Sequence, residues 1–178
     1  METQKFSYDN SIVRAFLYAT VVFGLLGFLM GLTAALMLFY PELPEFFFGI
    51  FAFVANGFFA GAYYSTQRLL KTRMWSDTLS WIHFWGWQLM IVSTIITFLM
   101  GINTSKEYAE HECPIDILIT IVWVLFGVLI IGTIAIRRVR HLYVEIWFYL
   151  GTWVAVEMLH IFNNLEVPIS FTGWKSYS

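Results

Sequence analysis

Residues Ile117–Ile136 read ILITIVWVLFGVLIIGTIAI. This stretch carries no charge, shows no strict alternation and is closed by Arg137 and Arg138. About twenty such residues in a helix rise ~30 Å, the thickness of a bilayer's hydrocarbon core. Three further stretches have the same character: Ala15 to Pro41, Phe46 to Gln67 and Thr78 to Ser105 are each free of charge. Leu142 to Leu165 has the length of a fifth span, though it carries Glu145, Glu157 and His160 among apolar and aromatic residues. Strands of a membrane barrel alternate over about ten residues, and these runs do not.

The composition agrees. The 178 residues are 59% hydrophobic and 12% charged, against about a quarter charged in an ordinary soluble domain. That excludes a disordered chain and a nucleic-acid-binding module. Eight Trp, nine Tyr and 18 Phe suit a protein with rings at the membrane interface and towards lipid. The single cysteine, Cys113, rules out an intrachain disulfide.

The expected architecture is therefore an all-α, polytopic membrane helix bundle in one transmembrane domain over 1–178. Its five spans are placed at about 15–40, 46–67, 79–102, 115–136 and 142–165. Pro41 and Pro44 mark the turn after the first span, Pro114 precedes the fourth, and Pro168 follows the fifth. Gly24, Gly27 and Gly31 share one helix at spacings of three and four, either as a small-residue packing face or as ordinary membrane-helix glycines. Eight of the ten basic residues fall on one side: Lys5, Arg14, Arg68, Lys71, Arg73, Arg137, Arg138 and Arg140. Lys106 and Lys175 fall on the other. The positive-inside rule then sets the N-terminus in the cytoplasm and the C-terminus outside. The apolar run of the first span is too long for a cleaved signal peptide.

Ionisable groups within a membrane are costly, so each one in a span is a functional candidate. His83 sits in Trp81-Ile82-His83-Phe84-Trp85-Gly86-Trp87, and His160 lies near the outer end of the fifth span. Either is a weak metal or haem-iron candidate, set against a plain hydrogen bond to a neighbouring helix. Glu157 and His160 lie three apart on one helix face. A di-metal carboxylate bundle needs a second such pair, which the chain lacks; Glu157 is instead expected protonated, or paired with His160 or with another subunit. Glu145 is expected as an interfacial ion-pair residue beside Arg137, Arg138 and Arg140. The outer loop from Thr104 to Pro114 holds Glu107, Glu110, Glu112, His111 and Cys113, and reads either as solvated charge or as a cation site. Asn56, Ser93, Thr94 and Thr97 are expected to bond across helices or back to their own backbone. Arg68, Lys71 and Arg73 are placed to meet anionic lipid headgroups.

Four strings carry a resemblance. They are Phe53-Val54-Ala55-Asn56-Gly57-Phe58-Phe59-Ala60-Gly61-Ala62-Tyr63-Tyr64-Ser65-Thr66-Gln67-Arg68-Leu69, Trp81 to Gln88, Thr104 to Glu110 with Pro114-Ile115-Asp116, and His141-Leu142-Tyr143-Val144 with Leu159-His160-Ile161. In this order they resemble subunit I of the cbb3-type cytochrome c oxidases, in the haem–copper oxidase superfamily. The resemblance implies part of a twelve-helix catalytic subunit of the bacterial inner membrane. In the family that subunit holds haem b, haem b3 and copper, works with c-type cytochrome subunits, takes electrons from cytochrome c, reduces oxygen to water and translocates protons.

The sequence departs from the family pattern in three ways. The family's Pro-Leu-His-Thr-Asn-Ala string, with a low-spin haem ligand, is missing where Phe47-Phe48-Gly49 runs into Ile50-Phe51-Ala52-Phe53. The remaining metal-ligating histidines of the family would lie past Ser178. Cys113 replaces an expected tryptophan. The expectation is an N-terminal fragment with an internal deletion, inactive by itself, with no catalytic residue and no haem or copper of its own. Glu107 and Glu110 match a family string near the haem propionates and a bound calcium, and are the cofactor-binding candidates. Two other readings stand beside this one: a non-catalytic truncated membrane protein that packs with oxidase subunits, and a small haem b electron-transfer protein using His83 and His160.

Overall fold

The computed structural model describes residues 7–37, 49–100, 111, 113–163, 168–170 and 173–176. Among these residues are five helices: α1 (Ser11–Met37), α2 (Gly49–Leu69), α3 (Asp77–Leu99), α4 (Cys113–Ala135) and α5 (Val144–Asn163). Each lies within a few residues of an expected span. In hydrocarbon, backbone groups have no water to bond, so an apolar run of this length satisfies them internally as a helix. By length and composition α1, α3 and α4 are apolar enough to cross a membrane. In α2 the run is diluted by Asn56, Thr66 and Gln67, and in α5 by Glu145, Glu157 and His160.

A short antiparallel hairpin follows, β1 (Pro168–Ser170) and β2 (Gly173–Ser176), with Pro168 opposite Ser176 and Ser170 opposite Gly173. The apolar periodicity gave no sign of it, because strands of three and four residues are too short for alternation to register.

The chain forms two compact units, 1–68 and 69–178. In the first, Phe16 of α1 is fully buried against Phe59 and Tyr63 of α2, with ring centroids 5.4 and 5.5 Å away. Gly24 leaves room for the Phe53 ring, whose nearest carbon would lie 2.9 Å from an added Cβ, whereas Gly31 faces open space. The glycine stripe is thus a packing contact at Gly24 and not along its length. The outward side of α1 carries Leu17, Tyr18, Val21, Val22, Leu25, Phe28 and Leu29, all exposed as a lipid-facing surface requires.

In the second unit, α4 packs against both α3 and α5. Ser76 caps α3 by accepting the Leu79 N–H (3.3 Å), and Arg73 pairs with Asp77 in the first turn (2.8 Å). Gly86 of α3 lies against Val122 of α4. The turn before α3 is pinned to the end of α4. The Trp75 N–H donates to the Thr133 hydroxyl (3.1 Å), the Trp75 ring lies over Gly132, and the Arg138 N–H donates to the Leu70 carbonyl (3.1 Å).

Candidate functional site

The two buried histidines of the second unit meet α4 at two levels. The lower level is built on aromatic stacking. His83 of α3 is fully buried and stacks on Phe126 (5.5 Å, 26°), which stacks on Trp123 (5.5 Å), which in turn faces Trp87 (6.2 Å). A flat imidazole fills a place in this column as another ring would.

The upper level joins α4 to α5. His160 Nε2 lies 3.0 Å from the Asp116 backbone carbonyl. A carbonyl only accepts, so Nε2 carries the proton. The same nitrogen lies 3.9 Å from the Asp116 carboxylate, and the Thr120 hydroxyl donates to the same carbonyl (3.0 Å). Asp116 is fully buried and His160 nearly so. Below them the Trp153 indole donates to the Trp123 carbonyl (3.0 Å) and lies directly on Gly127. Glu157, also on α5, is buried, and its carboxyl oxygens meet no hydrogen-bond partner among the described residues. The expected pairing of Glu157 with His160 is therefore not formed, because the imidazole is committed to Asp116. Protonation of Glu157, or a partner beyond these residues, is the remaining reading.

His111, in the connection before α4, is partly buried and its ring lies tilted against Phe98 (5.7 Å, 34°). Burial lowers its pKa to about 4, with the His160 charge adding in the same direction. It is a neutral imidazole near neutral pH.

Asp116 is the residue that sequence reasoning passed over as a site member. Its signal was present: a lone carboxylate inside the first turn of the most apolar helix. Other expectations resolve more simply. Asn56 donates to the Ala52 carbonyl (2.6 Å) and Thr97 to the Thr94 carbonyl (3.0 Å), so both turn back on their own helices. Glu145 is exposed in the first turn of α5, where a carboxylate favours the helix N-terminus. Cys113 opens α4, half-buried. Glu107, Glu110 and Glu112 lie outside the described residues.

The geometry tests a haem held by both histidines. His83 meets α4 at Phe126 and His160 meets it at Asp116. Ten residues of helix separate these levels by ~15 Å, too far for two imidazoles to reach one iron. Among the described residues, no three His, Cys, Asp or Glu side chains converge as a metal site. The arrangement does not fit a haem bridging His83 and His160.

Apolar helices of spanning length, with polar groups buried between helices within each unit, define a multi-pass helical membrane protein. Comparison with known proteins gives the family. The profile of cytochrome c and quinol oxidase polypeptide I matches residues 11–178, and the chain belongs to that family. It is 44% identical over 186 positions to the cbb3-type cytochrome c oxidase subunit CcoN1 of Stutzerimonas stutzeri, covering 97% of this chain and 39% of that protein. It is 42% identical to a cytochrome c oxidase subunit 1 homolog of Agrobacterium tumefaciens (strain T37), covering 96% of this chain and 34% of that one. Against cytochrome c oxidase subunit 1 of Rhodobacter capsulatus the identity is 41%, over 97% of this chain and 36% of the relative. The chain thus spans a little over a third of the length of these relatives. The 186 aligned positions exceed its 178 residues, so the Stutzerimonas protein carries residues within the matched region that this chain lacks.

Proposed function

We propose that this sequence serves as the N-terminal part of the catalytic subunit of a cbb3-type terminal oxidase in the bacterial inner membrane. The observation that carries the reading is the family match from residue 11 to 178, with relatives named as oxidase subunits at more than 40% identity. In that role the helices form one side of a larger bundle. Haem b, haem b3 and copper are held elsewhere in the subunit, c-type cytochrome subunits deliver electrons from cytochrome c, and oxygen is reduced to water with proton translocation. The residues of this chain supply packing and a polar α4–α5 seam, not metal ligands. Glu107 and Glu110 are proposed to lie near the haem propionates and to help hold calcium. All five helices are proposed to span, with the N-terminus in the cytoplasm.

The test is oxygen consumption together with a reduced-minus-oxidised haem spectrum of the purified chain. The expected outcome is no oxidase activity and no stoichiometric haem b. One haem per chain, lost on His83→Ala or His160→Ala, would overturn the reading in favour of a small electron-transfer protein. In an intact oxidase, Glu107→Gln with Glu110→Gln is expected to lower calcium retention; an unchanged calcium content removes that role.

A further inference from the structure

Arg68 stands in the last turn of α2 with its side chain exposed. Its guanidinium carbon lies 4.4 Å from the centroid of Tyr64 and 5.0 Å from that of Tyr8. Tyr64 is one turn earlier on the same helix face. Tyr8 comes from the segment before α1 and is held there by its neighbour. The Asp9 N–H donates to the Gln67 side-chain oxygen (3.2 Å), and Gln67 Nε2 donates back to the Asp9 carbonyl (2.9 Å). Gln67 is buried, so this two-way clamp fixes Tyr8 beside Arg68.

The nearby carboxylate does not claim the guanidinium. Asp9 Oδ1 accepts the Ser11 N–H (2.9 Å) and the Ser11 hydroxyl (2.6 Å) at the start of α1. Among the described residues no carboxylate pairs with Arg68. Ring contacts occupy the faces of a guanidinium and leave its N–H edge, which matches two oxygens of a phosphate at once. With α2 spanning, as proposed above, tyrosines and an arginine at its end belong at the headgroup level of a bilayer, where phosphate is the abundant oxyanion.

We propose that Tyr8, Tyr64 and Arg68 form a seat for a phosphate oxyanion, supplied by the headgroup of an anionic phospholipid. The two rings hold the guanidinium and Arg68 makes the contact. Lysine in its place would keep the charge but lose both the stacking plane and the paired donors.

The test uses the full chain in nanodiscs of phosphatidylcholine with a minor fraction of phosphatidylglycerol, followed by native mass spectrometry of the retained lipid. Retained lipid is expected to be enriched in phosphatidylglycerol. Arg68→Gln is expected to reduce the enrichment about fivefold, the factor that one basic side chain near an anionic surface provides. Arg68→Lys and Tyr64→Leu are expected to reduce it in part, while Tyr64→Phe, which keeps the ring, leaves it unchanged. Helical content by circular dichroism checks that each variant folds, and Tyr64→Phe keeps the test open if Tyr64→Leu does not. A second arm titrates inorganic phosphate onto the chain in detergent. Binding of inorganic phosphate that depends on Arg68, without phosphatidylglycerol enrichment, overturns the lipid assignment in favour of a soluble ligand. Enrichment that survives Arg68→Gln overturns the seat altogether.

Discussion

A histidine that is neutral in the fold and titratable in the open chain makes stability depend on pH. His111 is the one whose position allows this to be read directly, because it lies in a connection and not within a span. Its pKa falls from 6.5 to about 4, first through burial and then through the His160 charge. The unfolded chain therefore takes up a proton first as the solution is acidified. Stability from this group is complete above 6.5, declines as pH falls towards about 4 and levels off below. The measurement is the thermal midpoint of the detergent-solubilised chain across that window, compared with His111→Gln. The variant should show a shallower decline; equal slopes would place the pH dependence on other groups. At this scale the sequence was partly legible. His160 stood out as an ionisable residue in a span, but its partner could not be named. Glu157, three residues away on the same helix, was the natural choice from spacing. The imidazole instead reaches across to the Asp116 carbonyl, a backbone group that no side-chain pattern marks.

Between helices, the contact that decides how closely α4 and α5 approach is Gly127 under Trp153. An added Cβ would run into the indole ring, so the ring or the helix must shift. Gly127→Ala is therefore expected to destabilise the chain by ~1–3 kcal/mol, the usual cost of overpacking a filled interior. The cost should shrink when Trp153→Leu is introduced first, because the clash partner is gone. Urea or dodecyl sulfate unfolding of the four proteins measures this as a double-mutant cycle. Additive effects would mean that the helices separate there without loss. Helix positions were readable because a bilayer demands long charge-free runs, and those runs stand out without any knowledge of packing. The choice of glycine was not. The spacing of Gly24, Gly27 and Gly31 drew attention to α1, yet Gly31 faces open space while Gly127, outside any such pattern, carries a tight contact. A glycine's role depends on the side chain that arrives from elsewhere.

For the whole molecule, the testable property is the direction in which the helices are threaded. Electrostatics sets it: eight of ten basic residues fall in or next to segments assigned to one side. The single cysteine offers a ready probe, since Cys113 opens α4 on the side assigned to the outside. In intact spheroplasts, a membrane-impermeant maleimide is expected to label Cys113. A second protein, Cys113→Ala with His141→Cys, moves the probe past the far end of α4, to a position that is exposed. It should label only after the membrane is permeabilised. The reverse pattern would invert the bundle and move Glu107 and Glu110 to the cytoplasmic side, away from the calcium role proposed for them. Labelling of both positions from outside would mean that α4 does not cross, against its apolar length of 23 residues. The result bears on function as well as topology. The His160–Asp116 seam lies towards the end of α4 that begins at Cys113, so the labelling also fixes which face of the membrane these buried polar groups approach.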